Sequence, residues 1–238
     1  MSVICTTSEK GGSGKTTVVT NLAVYLASKG RSVVIFDLDA QQSVGAWMAM
    51  RSRQDVVEVY EGIEVMDLEG IAEARGQGSL KELVERASDR WDDVLLDVPG
   101  SDNALQREAL LASDVAIMPI VPDGFDHLTS MNSFDFIEEA IEYRSKTRGY
   151  TPLKAYLMFN RDYDRCVALR MARDAYSGYL EHMEILEPTF RMLNDYRSAA
   201  SQGLGVIEWN EFCRAAREVK ALGEALYERA QRFIAVDM

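Results

Sequence analysis

The 238-residue chain has no apolar run approaching the ~18 residues that a membrane-spanning helix requires, so helical spans are excluded. It has little cysteine. Cys5, Cys166 and Cys213 stand far apart with no C-x-x-C pair, which excludes a disulfide frame or a thiolate metal site and predicts buried thiols in a reducing cytosol. It has no surplus of basic residues: 26 Lys and Arg face 38 Asp and Glu, and a net charge of −12 argues against a protein that coats DNA along its whole surface. Internal repeats and low-complexity linkers are missing. A strand-like run opens at residue 3, so no signal peptide and a cytoplasmic location are expected. What is present, 47% hydrophobic and 27% charged residues, suits a single globular domain over 1–238 with a sizeable core.

The most informative stretch is Lys10-Gly11-Gly12-Ser13-Gly14-Lys15-Thr16-Thr17. It approaches the phosphate-loop pattern G-x-x-x-x-G-K-[ST], but Glu9 stands where the first glycine belongs, and Lys10 adds a second lysine beside a double glycine. This variant is the deviant Walker A loop. An apolar run over 3–6 precedes it, and Val18, Leu22, Tyr25 and Leu26 follow at helical spacing. Strand, glycine loop and helix together form the context in which backbone N–H groups and a helix N-terminus cradle phosphates. Lys15 is then placed to bridge the β- and γ-phosphates, and the Thr16 hydroxyl to ligate Mg²⁺. A glycine turn before an ordinary helix would need none of this agreement.

Downstream, strands and helices alternate. Strand-like runs cover 32–37, 56–60, 63–68, 93–97, 115–121 and 153–159, and a short one ends at 185–186. Helical patterns cover 42–53, 80–87, 166–179 and 212–233, and Leu128, Met131, Phe134, Ile137 and Ile141 form an apolar helical stripe read as core. The pattern predicts an α/β fold: a parallel sheet flanked by helices on both faces, of the P-loop NTPase type. Ligands of such sheets bind beyond the carboxyl ends of the strands.

Two strands end in acids at that place. Asp97 closes D-V-L-L-D before Val98-Pro99-Gly100 and is read as the Walker B acid that holds Mg²⁺ through water, although aspartate is also common at plain strand exits. The other end reads Asp37-Leu38-Asp39-Ala40-Gln41-Gln42. One of its two aspartates can orient the water that attacks the γ-phosphate; spacing alone does not say which.

The order K-G-G-S-G-K-T-T, D-L-D-A-Q-Q, L-L-D-V-P-G resembles the ParA family of partition ATPases, within a wider group that includes MinD. The likeness extends loosely through Glu187-Pro188-Thr189-Phe190-Arg191 to Arg197, Ala200, Gly203 and Val206. The resemblance implies ATP and Mg²⁺ as cofactors and Gly11, Gly12, Ser13, Gly14, Lys15, Thr16 and Thr17 as the phosphate site. It implies Lys10 as a signature lysine that crosses an ATP-bound homodimer. Asp39 becomes the acid that positions water, Asp97 to Ser101 a switch segment, and Asn160, Arg161 and Pro188 the neighbourhood of the base. It also implies non-specific DNA binding in the nucleoid through late basic residues, with Arg191, Arg197, Arg214, Arg217 and Lys220 as candidates in the 188–238 segment. A ParB-like or other cargo-adaptor protein would stimulate hydrolysis. Ala40 and Gly100 stand where relatives usually have proline, which bears on switch stiffness. No helix-turn-helix is expected before the first strand.

From 188 to 238 basic and acidic residues balance, seven against seven, so the net charge of −12 lies in the first 187 residues. A basic stripe on one helix face and an ordinary solvated face both fit that count. Two further classes compete with the DNA-positioning switch. A MinD-like membrane switch needs an amphipathic final helix, and the tail over 226–234 lacks a lysine-rich polar face, so no membrane partner is expected. A metabolic enzyme is the other class: a ligase, or a reductase like the nitrogenase iron protein. The reductase would need cluster cysteines between Cys5 and Cys166, where there are none.

Overall fold

The computed structural model describes residues 2–55, 57–100, 103–122, 126–162, 173–174, 176 and 182–234. Strand β1 (Ser2–Thr6) pairs in parallel with β4 (Asp93–Asp97) on one side and β5 (Val115–Ile120) on the other. Adding β2 (Val33–Asp37), β3 (Ile63–Met66), β6 (Lys154–Asp162) and β7 (Met183–Ile185) gives the order β3-β2-β4-β1-β5-β6-β7. A two-residue strand, β8 (Phe190–Arg191), pairs with the end of β6, giving eight strands among the described residues. The phosphate-loop strand is therefore central, and the chain departs from it in both directions across the sheet, which opens a crevice at its carboxyl end.

Every residue of β2 and β4 is buried, as expected for strands covered on both faces. Strand residues alternate between two apolar clusters. Ile4, Ile35, Leu95 and Ile117 face α1 (Lys15–Ala27) and α9 (Arg214–Ile234), where Val18, Leu22, Ala215, Val219 and Leu222 pack. Cys5, Phe36, Leu96 and Met118 face α4 (Leu80–Ser88), α5 (Asn103–Ala112) and α6 (Asp126–Lys146). Helix α2 (Ser43–Arg51) follows β2, and α3 (Leu68–Arg75) follows β3. Helices α7 (Asn194–Ala200) and α8 (Val206–Trp209) bridge β8 to α9.

The expected strand over 56–60 does not form: 57–60 carry no ladder. Side chains take its backbone groups instead. The Tyr60 N–H donates to Glu208 at 2.8 Å and its carbonyl accepts from Arg51 at 2.6 Å, while Val57 and Val59 pack on the first cluster. The apolar content signalled partial packing of Val57 and Val59 rather than pairing. The run over 63–68 stops at Met66, because Asp67 caps α3 by accepting the Gly70 N–H at 2.8 Å. Helices α3, α5, α7 and α8 were not separated by the sequence pattern. Helix α4 was, and it begins on a capping box of Ser79 and Glu82. Cys5 is buried as expected, Cys213 is only partly so, and Cys166 lies outside the described residues, as does nearly all of the expected 166–179 helix.

Candidate nucleotide site

The loop between β1 and α1 encloses a cavity of about 360 Å³ lined by Gly11, Gly12, Gly14, Lys15, Thr16, Thr17, Asp39 and Gly100 among others. A side chain at Gly11 or Gly12 would meet no atom within 4 Å, so both open onto that space. Gly14 differs. Its φ is 102° and a Cβ there would lie 1.8 Å from Asn160 Nδ2, so glycine is required both for backbone conformation and for room. Asn160, at the end of β6, donates through that nitrogen to the Ser13 carbonyl at 2.6 Å and braces the loop from behind. Ser13 Oγ is buried without a hydrogen-bond partner among the described residues, an acceptor or donor held ready inside the loop.

Lys15 is 7% exposed and its ammonium donates to the Ser8 carbonyl at 3.0 Å and the Lys10 carbonyl at 3.4 Å. Burial pulls its pKa down, opposed by Asp97 and Asp39. Thr16 Oγ1 donates to Asp97 Oδ2 at 2.7 Å, and Thr6 Oγ1 reaches the other oxygen at 3.4 Å. Asp97 is 1% exposed; desolvation pushes its pKa up to about 7, against the Thr16 bond and Lys15 and with the charges of Asp37 and Asp39.

Asp37 and Asp97 end neighbouring strands in register, yet the two acids of D-L-D do different work. Asp37 is fully buried, and its Oδ2 accepts the N–H groups of Val44 and Gly45, both at 3.0 Å, so it caps α2. Asp39 lies past the strand end, half-exposed on the cavity wall, with Oδ1 accepting the Gln41 N–H at 2.9 Å. Gly100 touches the loop: a Cβ would sit 2.8 Å from the Glu9 carbonyl oxygen. A proline has no room at this backbone position. Lys10 is half-buried and is not part of the cavity lining.

A second cavity, about 230 Å³, adjoins the first through Thr17 and Arg161 and is lined by Asn160, Arg191, Met192, Leu193, Asn194, Tyr196, Arg197 and Ala200. Arg161 holds a φ of 54°, an uncommon backbone state for a non-glycine residue. Pro188 lies outside both linings. The basic candidates separate: Arg191 and Arg197 face this cavity, whereas Arg214, Arg217 and Lys220 lie on α9. Tyr196, Asn194 and Ser43 carried no sequence signal, since β8 pairing and the turn after β2 bring them in, whereas Gln41 stands in the D-L-D-A-Q-Q run.

Residues 2–146 match the model of the family described as ATPase MipZ. The chain belongs to the MipZ family of ATPases. It is thus a partition ATPase of the ParA/MinD type. The maintenance of carboxysome distribution protein A of Halothiobacillus neapolitanus is 26% identical over 212 residues, 88% of each chain. The chromosome-partitioning ATPase Soj of Thermus thermophilus is 32% identical over 136 residues, 49% of this chain and 53% of Soj. The solved structure of apo McdA from Cyanothece superposes with a TM-score of 0.74 at 16% identity, covering 95% of this chain and 99% of that one, a likeness of fold. In this MipZ-family chain the parallel sheet and the phosphate loop thus sit in the expected architecture. Among the described residues no helix is long and apolar enough to cross a membrane.

Proposed function

We propose that this ATPase is a nucleotide-driven positioning switch. ATP joins two chains face to face, the dimer holds non-specific DNA, and a partner protein on the cargo triggers hydrolysis and release. The observation that carries the reading is one cavity walled by Lys15, Thr16 and Asp39, with Asp97 hydrogen-bonded to Thr16 behind it and Lys10 left out of the lining.

The donor set fits Mg²⁺. Thr16 and Asp97 offer the hard oxygens that would hold it. Bound there, Mg²⁺ supplies charge neutralisation for the phosphates. Lys15 holds the phosphate charge, and the glycine N–H groups fix its position. Asp39 accepts a hydrogen bond from the attacking water and orients it. Lys10 reaches the phosphates of the facing chain, a trans device that is worth ~10³–10⁵ in rate where an arginine does the same in other NTPases.

For DNA, Arg217 is exposed on α9, with Arg214 and Lys220 half-exposed beside it. The apolar face of α9 from Ala215 to Leu226 is used up in packing against α1, which weighs against a membrane-inserting helix. The test is binding to non-specific duplex DNA with ADP, ATP and a slowly hydrolysed analogue at two salt concentrations. Salt-sensitive binding with ATP only is expected. A dimer that forms with ATP but binds no DNA would overturn the DNA half of the reading, and strong flotation with liposomes would replace it with a membrane switch.

A further inference from the structure

Glu218 is a buried carboxylate, 6% exposed, on a helix whose neighbouring face is solvated. Its Oε2 accepts the backbone N–H of Arg191 at 3.0 Å and the Tyr196 hydroxyl at 3.1 Å, and its Oε1 accepts from the Arg191 guanidinium at 3.0 Å. Arg214, one turn earlier on α9, approaches the same Oε1 at 3.5 Å. A buried carboxylate is costly unless paired and hydrogen-bonded, and here one side chain gathers an arginine by both main chain and side chain. Burial pushes the Tyr196 hydroxyl far above its usual pKa, with Glu218 adding to the shift, so the phenol stays a donor.

What Glu218 holds is the wall of the second cavity, to which Arg191 and Tyr196 both contribute. The same wall runs back to the phosphate loop. Phe190, beside Arg191, is in register with Asn160 across β8 and β6, and Asn160 bonds the Ser13 carbonyl. Phosphate loop, β6, β8 and α9 are thus linked by one run of hydrogen bonds that ends on Glu218.

We infer that Glu218 is a positioning residue for nucleotide binding: it fixes Arg191 and Tyr196 on the cavity that receives the base and ribose. The inference rests on the reading of these two adjoining cavities as one nucleotide site. Its content is that affinity for the nucleoside end depends on a residue of the final helix that does not line the site, while affinity for the phosphate end does not.

The experiment is calorimetric titration of the full chain with ADP and, separately, with inorganic pyrophosphate, each with Mg²⁺. Glu218→Gln and Arg191→Ala should each weaken ADP by about tenfold, the size expected for a lost charge-assisted hydrogen bond. The double variant should lose no more than either alone, because both break one contact. Pyrophosphate, which fills only the loop, should bind all of them like the parent chain. ADP affinity unchanged in a folded Glu218→Gln protein overturns the inference, and so does an equal loss for pyrophosphate, which marks a general structural role. If Glu218→Gln does not fold, Arg191→Lys, which keeps the charge but not the planar guanidinium, should show the same split between ADP and pyrophosphate. Failure of the parent chain itself to bind ADP would instead sink the nucleotide-site reading.

Discussion

Thr16 Oγ1 and Asp97 Oδ2 lie 2.7 Å apart in a hydrogen bond that joins the first turn of α1 to the end of β4. The bond gives a desolvated carboxylate its one strong donor, and it is not enough: the Asp97 pKa rises from 3.8 to about 7. A folded-state pKa above the unfolded one means that the folded protein holds the proton more tightly. That contribution to stability is complete at low pH and disappears as pH rises through about 7. The nucleotide-free protein should therefore melt at a lower temperature at about pH 8 than at about pH 6. Burial raises Asp37 in the same sense. Asp97→Asn should flatten the slope and raise the melting temperature at the higher pH. An equally steep slope in that variant, read by calorimetry, would assign the effect to other groups.

The two acids of D-L-D give opposite expectations. Asp37→Ala removes the acceptor for two N–H groups at the start of α2 and should cost about 1–2 kcal/mol of stability, the usual loss for a helix cap. Asp39→Ala touches one exposed turn bond and should leave stability within about 0.5 kcal/mol. Turnover should respond the other way, with Asp39→Ala binding ATP and hydrolysing it at least tenfold more slowly, a drop of about 1.4 kcal/mol or more in transition-state stabilisation. Denaturant melts and steady-state turnover on both variants separate the two roles; normal turnover in Asp39→Ala would remove Asp39 from the chemistry.

Gly100 is a place where this chain departs from its relatives. Gly100→Pro restores the residue common in the ParA pattern but drives a ring into the Glu9 carbonyl, 2.8 Å from where a Cβ would stand. Overpacking at a rigid backbone contact costs about 1–3 kcal/mol. The loop would have to shift, so ADP affinity should fall along with stability. A Gly100→Pro protein as stable as the parent, with unaltered ADP affinity, would show that the contact yields freely.

Legibility followed physical range. The phosphate loop was readable because glycine, lysine and hydroxyl residues act there through consecutive backbone positions. β2 and β4 were readable because unbroken apolar runs ending in Asp37 and Asp97 admit little but buried parallel strands. The run expected as a strand over 56–60 misled: Val57 and Val59 only half-pack on the core, and the partners of the Tyr60 backbone, Arg51 and Glu208, come from distant elements. Which acid of D-L-D faces the cavity depended on where β2 stops pairing. Arg191 and Arg197 read as DNA-binding candidates because charge in a sequence carries no address. A two-residue pairing of β8 with β6 turns Arg191 toward the second cavity, and α7, which follows it, brings Arg197 there.

Arg51 and Glu208 form the most buried ion pair among the described residues, with side chains 4% and 0% exposed. The guanidinium also donates to the carbonyls of Gly203 and Tyr60, and the carboxylate also accepts the N–H groups of Tyr60 and Gly205. With both charges fully satisfied, the pair locks the end of α2 to the loop before α8, and Trp47 adds a bond to the Leu204 carbonyl at 3.2 Å. Removing one partner strands the other's charge in a buried site. Arg51→Ala should therefore destabilise by about 3–5 kcal/mol, well beyond a surface arginine. The Tyr60 and Gly205 N–H groups bond different oxygens of Glu208, so Glu208→Gln keeps an acceptor for only one of them and should also destabilise. A double-mutant cycle should return a coupling energy above about 1 kcal/mol, since the two residues share one network. Additive losses in denaturant unfolding would mean that Arg51 acts through its carbonyl bonds alone, and that Glu208 serves only to cap α8.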